Sequence, residues 1–429
     1  MALYFAQGTP ETELSDDDLQ AALSNCFDQL GPRRRVLAVP PDFTRAASQA
    51  GKLTCIAHDY YGDRLVDVLP ALGTHFPMQA WQLDRMFPTL PASLIRKHDW
   101  RQDVVTLGEV PASFVAEATG GVFDKPWTAQ MNRLVCQGGH DLILSLGQVV
   151  PHEVIGMANY NKNLFIGTGG PHGINTSHFI SAACGIERTL GQTDTPVRRI
   201  LNRAEQLFCG DLPIAYVLTV IGTTADNRLV VRGLFVGDDV ECFQKAAELS
   251  VQVNIEILDE MPQTVVAYLD PEEFHSTWIG NKAIYRTRMA IADGGELIVL
   301  AGGVRTCGED PQIDRLIRRY GYRTTEQVLE FIRQDEQLQQ NLSAAAHLIH
   351  GSPENRFRVT YCPGHLSREE TESVGYGYAD LATMQARYDP AKLTDGWNEL
   401  PDGQRIYYVS KPALGLWAHH SRIKGVRPL

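Results

Sequence analysis

Four short stretches combine residue types that do chemistry. Asp42, Thr44 and Arg45 lie in the tetrapeptide DFTR, directly after the apolar run RVLAVPP. His75 lies in GTHFP, just past LPALG, and His152 follows LILSLGQVVP. One lysine, Lys162, sits between two asparagines, ten residues after His152 and sixteen before His178. An imidazole exchanges protons near neutral pH or ligates a metal. A guanidinium grips a carboxylate with two parallel hydrogen bonds. Lys162 is open to three readings: an ordinary surface lysine, a nucleophile activated by desolvation, or an anchor for a covalently attached cofactor. Each residue alone is commonplace. Three apolar runs that each end in a polar, reactive residue are less so, because ligands of open α/β sheets bind beyond the carboxyl ends of the strands.

Other features carry weaker signals. GTGGPHG (167–173) is a candidate phosphate-cradling loop or a plain turn, and it matches neither GxGxxG nor GxxxxGK[ST]. His172 and His178 are candidate metal ligands. The thirteen histidines include no HExxH. His347 and His350 have i, i+3 spacing, more often incidental than metal-binding, and His419 and His420 read as surface residues. Lys282 and Arg286 share a face of a helix expected over 281–292, with Arg288 beside them. That cationic face suits a carboxylate or plain solvent.

The elements that must position these residues alternate between apolar strands and helices. Strands are expected at 35–41, 65–73, 103–110, 141–150 and 163–170. A helix capped by Ser15 is expected to run toward Leu30, and another helical pattern covers 179–190. A hairpin around TTAD (223–226) and the helix ECFQKAAELSVQVN close the first half. The alternation restarts with TVVAYLD, the 281–292 helix and GELIVLAGG; helical patterns over 311–350 and the strand RFRVTYCPG follow. The expected fold is therefore α/β, with mostly parallel sheets in two domains, residues 1–260 and 261–429.

Composition narrows the class further. The chain has 429 residues, 44% hydrophobic and 21% charged, with a net charge of -12, which argues against bulk nucleic-acid binding. No apolar run reaches the roughly 18 residues of a membrane span, and the first twenty residues lack the form of a secretory signal. The eight scattered cysteines form no CxxC, as in a cytoplasmic protein with reduced thiols.

Taken together over residues 35–310, DFTR, GTH, PH, Lys162 and His178 resemble, in order and spacing, the lactate racemase family of nickel-pincer nucleotide enzymes. The DGGELIVL pattern and the lysine upstream of it match the family's second domain. The resemblance implies two α/β domains with the active site in the cleft between them. It implies that Lys162 tethers the cofactor through a thioamide and that His178 ligates nickel. His75 and His152 would be the paired general acid/base residues. Arg45 would bind the substrate carboxylate with help from Lys282, and Asp42 and Thr44 would serve the cofactor, Asp42 alternatively positioning Arg45. The implied activity is that of an isomerase: racemisation or epimerisation of a 2-hydroxy acid by proton-coupled hydride transfer to the cofactor. Its partners would be a small hydroxy acid and the proteins that build the cofactor.

The chain departs from the family pattern at two places. Asn159-Tyr160-Asn161 stands where the family has glycines and an arginine, and Phe76 stands where an arginine often follows GTH. These changes point away from lactate toward another 2-hydroxy acid. Arg286 or Arg288 would accept a second carboxylate. Two alternatives remain from the residues alone: a zinc-dependent hydrolase or lyase using His75, His152 and His178, and a non-enzymatic α/β ligand-binding protein.

Overall fold

The computed structural model describes residues 2–224, 226 and 228–423. The chain folds into two compact units, one of Met1–Ser177 with Gly191–Asn254, the other of His178–Leu190 with Ile255–Val426. The structural division thus falls at Asn254, and a short stretch of the first half belongs to the second unit. Packing explains why. Ile186 and Leu190 are buried in an apolar cluster with Tyr285, Met289, Leu416 and Ala418. No helix among the described residues is long and apolar enough to cross a membrane.

The first unit is built on a six-stranded sheet. Its strands run Leu3–Gly8, Leu229–Gly237, Ile214–Thr223, Leu142–Gln148, Val36–Val39 and Leu65–Val68 from edge to edge. The last four are mutually parallel, and the first two join by antiparallel pairing. Ile214–Thr223 and Leu229–Gly237 are the hairpin read from the sequence, although Ala225 and Asn227 at its tip lie outside the described residues. Helix Asp16–Leu30 begins as its composition dictates. Ser15 Oγ accepts the Asp18 N–H at 3.2 Å and the Asp18 carboxylate accepts the Ser15 N–H at 2.8 Å. Such a reciprocal cap stabilises a helix by about 1 kcal/mol. Leu19, Leu23 and Phe27 on its buried face join Leu144, Leu146, Ala215 and Val217 of the sheet in one core.

Two expected strands differ. Residues 104–110 do form a strand, but it pairs with Trp127–Asn132 in a separate two-stranded antiparallel ribbon and not in the parallel sheet. Residues 163–170 are not a strand. Asn163–Gly167 is a single π-helical turn, in which the Thr168 N–H reaches Asn163 O at 3.1 Å. All five residues of that turn are buried. An apolar run buried on every side has no periodicity to tell strand from helix.

The second unit has its own six-stranded sheet in the order Gly377–Tyr378, Arg358–Pro363, Glu296–Ala301, Thr264–Tyr268, Arg405–Val409, Gly396–Glu399. Only the last strand is antiparallel. Helices Pro311–Tyr320, Thr325–Gln334 and Leu342–His350 contribute Ile313, Val328 and Leu348 to the core beside Leu297 and Val299. The helix expected over 281–292 is shorter: Thr277–Gly280 and Lys282–Thr287 are separate helical segments.

Candidate active site

In the first unit the strand order places the functional loops. The chain runs from Val36–Val39 outward to Leu65–Val68, then returns to the other flank of Val36–Val39 with Leu142–Gln148. The sheet therefore changes winding direction between Val36–Val39 and Leu142–Gln148. In doubly wound sheets that reversal leaves a crevice at the carboxyl ends, where ligands bind. Asp42 follows one of these two strands and His152 the other; His75 follows the next strand over.

The DFTR and GTH elements meet. Asp42 is buried, its Oδ1 accepts the Thr44 hydroxyl at 2.6 Å, and its Oδ2 lies 2.7 Å from His75 Nδ1. A carboxylate only accepts, so Nδ1 is the protonated nitrogen of His75 and Nε2 carries the lone pair. Asp42 thus orients His75, a contact that the reading of Asp42 as a positioner of Arg45 or of the cofactor does not include. Arg45 lies on the short 3₁₀ turn Phe43–Ser48, and among the described residues its buried Nη1 has no hydrogen-bond partner. Phe76, the residue after His75, is half exposed.

His152 is buried in the two-residue ribbon Pro151–His152, paired with Gly156–Met157. The Val154 N–H donates to its Nδ1 at 3.1 Å. That nitrogen is therefore the acceptor of the neutral ring, and the proton sits on Nε2. Glu153 Oε2 stands 3.7 Å from the same nitrogen, beyond hydrogen-bonding distance, and acts on the ring through its charge. The two histidines are thus set in opposite tautomers, His75 with a free Nε2 lone pair and His152 with an Nε2–H.

Lys162 is partly buried and opens the π-helical turn, and both neighbours pin its backbone. Asn163 Nδ2 donates to Val39 O at 2.8 Å and to Ser145 Oγ at 3.2 Å, across the two strands that flank the reversal. Asn161 Nδ2 donates to Asn202 Oδ1 at 2.7 Å and Glu205 Oε2 at 3.0 Å. Asn161 Oδ1 accepts Arg198 Nη1 at 2.6 Å. The far end of the turn is tied to the GTH loop, where the Gly73 N–H reaches Gly167 O at 2.8 Å. Gly147 on the strand beneath has φ of 141°, a conformation that favours glycine, and a Cβ there would come within 2.4 Å of Asn159 Nδ2.

The departure at 159–161 now has a physical meaning. Asn159 and Tyr160 have φ of 64° and 59°, the left-handed conformation glycine adopts freely. For other residues it costs on the order of 1 kcal/mol each. Arg198 offsets that cost. This buried guanidinium donates to Met157 O at 2.6 Å and Asn159 O at 3.3 Å, and lies 4.2 Å over the Phe243 ring, on which Tyr160 also stacks. Burial lowers the Arg198 pKa to about 10, which leaves it charged at neutral pH. Nothing in the local sequence pattern announced Arg198, because its partners are 37 to 41 positions away.

The glycines before the second histidine-bearing helix are pinned by another residue that the motifs did not reveal. His98 is buried; its Nε2 lies 3.1 Å from Gly169 O and its Nδ1 3.0 Å from Asn132 Nδ2. Trp127 Nε1 donates to Ser177 Oγ at 2.9 Å, so the two-stranded ribbon clamps this segment. The first four residues of GTGGPHG are therefore a buried turn running into helix Pro171–Cys184, whose first turn carries the exposed His172. Burial pushes the His98 pKa down to about 4. Between about pH 6.5 and 4 the unfolded chain binds a proton that the native fold does not, so stability falls as pH falls through that window. The loss amounts to roughly 3 kcal/mol. Thermal melts at pH 7 and pH 4 should show wild type losing that much more than His98→Gln; equal losses would refute this account.

In the second unit, His178 is partly buried on helix Pro171–Cys184. Lys282 is buried, with Nζ 5.6 Å from the Phe274 ring centre, and Arg286 and Arg288 are buried too. A solvated basic face is thus excluded. Arg288 pairs with Glu187 at 3.1 Å, a structural role, and Arg286 Nη1 donates to Gly415 O at 3.2 Å. His347 packs against Trp278 with ring centres 4.3 Å apart, and its Nε2 lies 3.1 Å from Tyr322 OH. With His350 it is part of a buried core helix. Among the described residues no three His, Cys, Asp or Glu side chains group as a metal site would require.

A lactate racemase apoprotein from Thermoanaerobacterium thermosaccharolyticum superposes with a TM-score of 0.68 over 95% of this chain and 93% of its own, at 14% identity. The chain has the lactate racemase fold. A crystal structure of a Thermotoga maritima protein matches with a TM-score of 0.79 over 94% of this chain and 98% of its own, at 22% identity. No family model and no curated protein matches the sequence.

Proposed function

We propose that this protein is an isomerase, a racemase or epimerase of a 2-hydroxy acid, working with a nickel-pincer nucleotide tethered to Lys162. The observation that carries the reading is the pair of histidines in opposite tautomers at the carboxyl edge of a lactate racemase-like fold. Inverting C2 requires the hydroxyl proton to leave along with the hydrogen on carbon, and a histidine with a free Nε2 lone pair accepts that proton. In this reading His75 is the base. Asp42 stabilises the imidazolium as it forms. His152 donates a hydrogen bond from Nε2–H to the substrate oxygen, and the proton taken up by His75 returns to that oxygen when the hydride is delivered to the other face.

The residues present fit the cofactor. Lys162 is held on an anchored turn at the winding reversal, and Arg45 Nη1 is a buried donor unmatched among the described residues, suited to an anionic oxygen. When bound, the cofactor supplies the acceptor for the hydrogen that leaves C2 as hydride. His178 is the proposed nickel ligand, and Arg45 with Lys282 the proposed grip on the substrate carboxylate. Thr44 contributes through its bond to Asp42. Zinc bound at His75, His152 and His178 without an organic cofactor would instead support a hydrolase or lyase.

The test is peptide mass spectrometry across Lys162, with metal analysis, on protein co-produced with the cofactor-building enzymes. A nucleotide-sized adduct on Lys162 with equimolar nickel is expected. An unmodified lysine with zinc would overturn the reading.

A further inference from the structure

Helix Pro196–Phe208 lays Arg198, Asn202 and Glu205 along one face, at i, i+4 and i+7. All three side chains meet the same residue, Asn161, which directly precedes the lysine. Arg198 Nη1 donates to Asn161 Oδ1 at 2.6 Å, and Asn161 Nδ2 donates to Asn202 Oδ1 at 2.7 Å and to Glu205 Oε2 at 3.0 Å. The start of the helix is fixed to the chain just before that residue. Thr195 Oγ1 accepts the Arg198 N–H at 3.1 Å and donates to Ile155 O at 3.2 Å.

Half a turn of a carboxamide exchanges its oxygen and its nitrogen, so Asn161 has two orientations of nearly equal shape. Asn202 does not choose between them, because its own amide turns in the same way. Arg198 and Glu205 do choose: a guanidinium only donates and a carboxylate only accepts. Glu205 is itself held from the sheet. Its Oε1 accepts the hydroxyl of Tyr216, a buried residue of strand Ile214–Thr223. Burial, and after it the Glu205 charge, hold the Tyr216 pKa well above its ordinary value, so the hydroxyl stays a donor. The Tyr160 ring packs against that of Tyr216 with centres 4.3 Å apart. One carboxylate therefore links the sheet to the residue next to Lys162.

We propose that Glu205 is a positioning residue for Lys162, acting through Asn161: it fixes which way the Asn161 amide faces, and so holds the peptide that carries Lys162 in the conformation that presents the amine for attachment. This rests on the tether reading of Lys162 and adds to it a residue outside the motifs. Arg198 alone does not suffice. The orientation it demands at Asn161 Oδ1 leaves two hydrogens on Nδ2 to be matched in a buried place, and Asn202 Oδ1 takes only one of them. The task at Glu205 asks for an acceptor at the right distance, not for a charge.

The experiment is mass analysis of the adduct on Lys162 in wild type, Glu205→Gln and Glu205→Asp, each co-produced with the cofactor-building enzymes and sampled before loading is complete. Glu205 is only partly buried, so both conservative variants should keep the fold, which circular dichroism checks. E205Q keeps the geometry without the charge: its Oε1 accepts from Asn161 and its Nε2 donates to the Tyr216 hydroxyl. E205D keeps the charge, but its side chain is one methylene shorter and does not reach both partners. E205Q should load within about threefold of wild type and E205D about tenfold less, the worth of one hydrogen bond left unmade. If E205D loads as well as E205Q or better, Glu205 acts through its charge or not at all. The inference then fails, while an adduct on wild-type Lys162 keeps the tether reading. If wild type carries no adduct, both fall together.

Discussion

Replacing Lys162 by alanine is expected to eliminate the adduct on this segment and to lower racemisation by about 10⁴-fold or more, the scale of loss when a covalent participant is deleted. The fold should survive the change. Lys162 is partly buried, and the backbone around it is held by its neighbours: Asn161 through Arg198, Asn202 and Glu205, and Asn163 through Val39 and Ser145. Lys162→Arg separates the possible roles. It keeps the positive charge, but a guanidinium does not serve as the amine of a thioamide. If the lysine acts as a charge, K162R should retain most activity. If it is the tether, K162R should fail as completely as K162A. Intact-mass analysis and turnover of both variants, made alongside the cofactor-building enzymes, decide between them. Full activity in K162A would sink the mechanism.

The placement of the candidate residues was legible where it is encoded by neighbours in sequence. Asp42, His75 and His152 each follow an apolar run, and the runs became adjacent parallel strands, so strand ends gathered the motifs as the doubly wound topology requires. The two-domain α/β architecture followed from the same alternation. What stayed hidden lies in long-range pairing. Arg198 and His98 matter through partners from other elements, and neither sits in a motif. The lysine segment was misread as a strand because full burial erased the pattern that distinguishes a strand from a helical turn. Asn159 and Tyr160 looked like losses from a glycine-rich motif. Their left-handed φ values show that they adopt a conformation glycine takes freely, and Arg198 holds it.

Asp42→Asn tests the tautomer argument most directly. Asp42 Oδ2 faces His75 Nδ1 at 2.7 Å, and Oδ1 takes the Thr44 hydroxyl at 2.6 Å. An asparagine fits the same space and keeps both contacts. With its amide nitrogen toward His75, however, it donates to Nδ1 and moves the ring proton to Nε2. Its oxygen remains available to Thr44, which favours that orientation. His75 would then present Nε2–H where a base is needed, and no carboxylate would balance the imidazolium. Loss of an orienting aspartate in a comparable Asp–His pair lowers turnover by about 10⁴-fold. A fall of roughly 10³- to 10⁴-fold in turnover is expected here, with cofactor loading, nickel content and substrate binding close to wild type. Raising pH recovers activity in D42N only if the histidine's protonation, and not its tautomer, is at fault. A flat, low pH profile is therefore the expected signature. If D42N turns over within about tenfold of wild type, a loss no larger than one neutral hydrogen bond accounts for, then His75 is not the base.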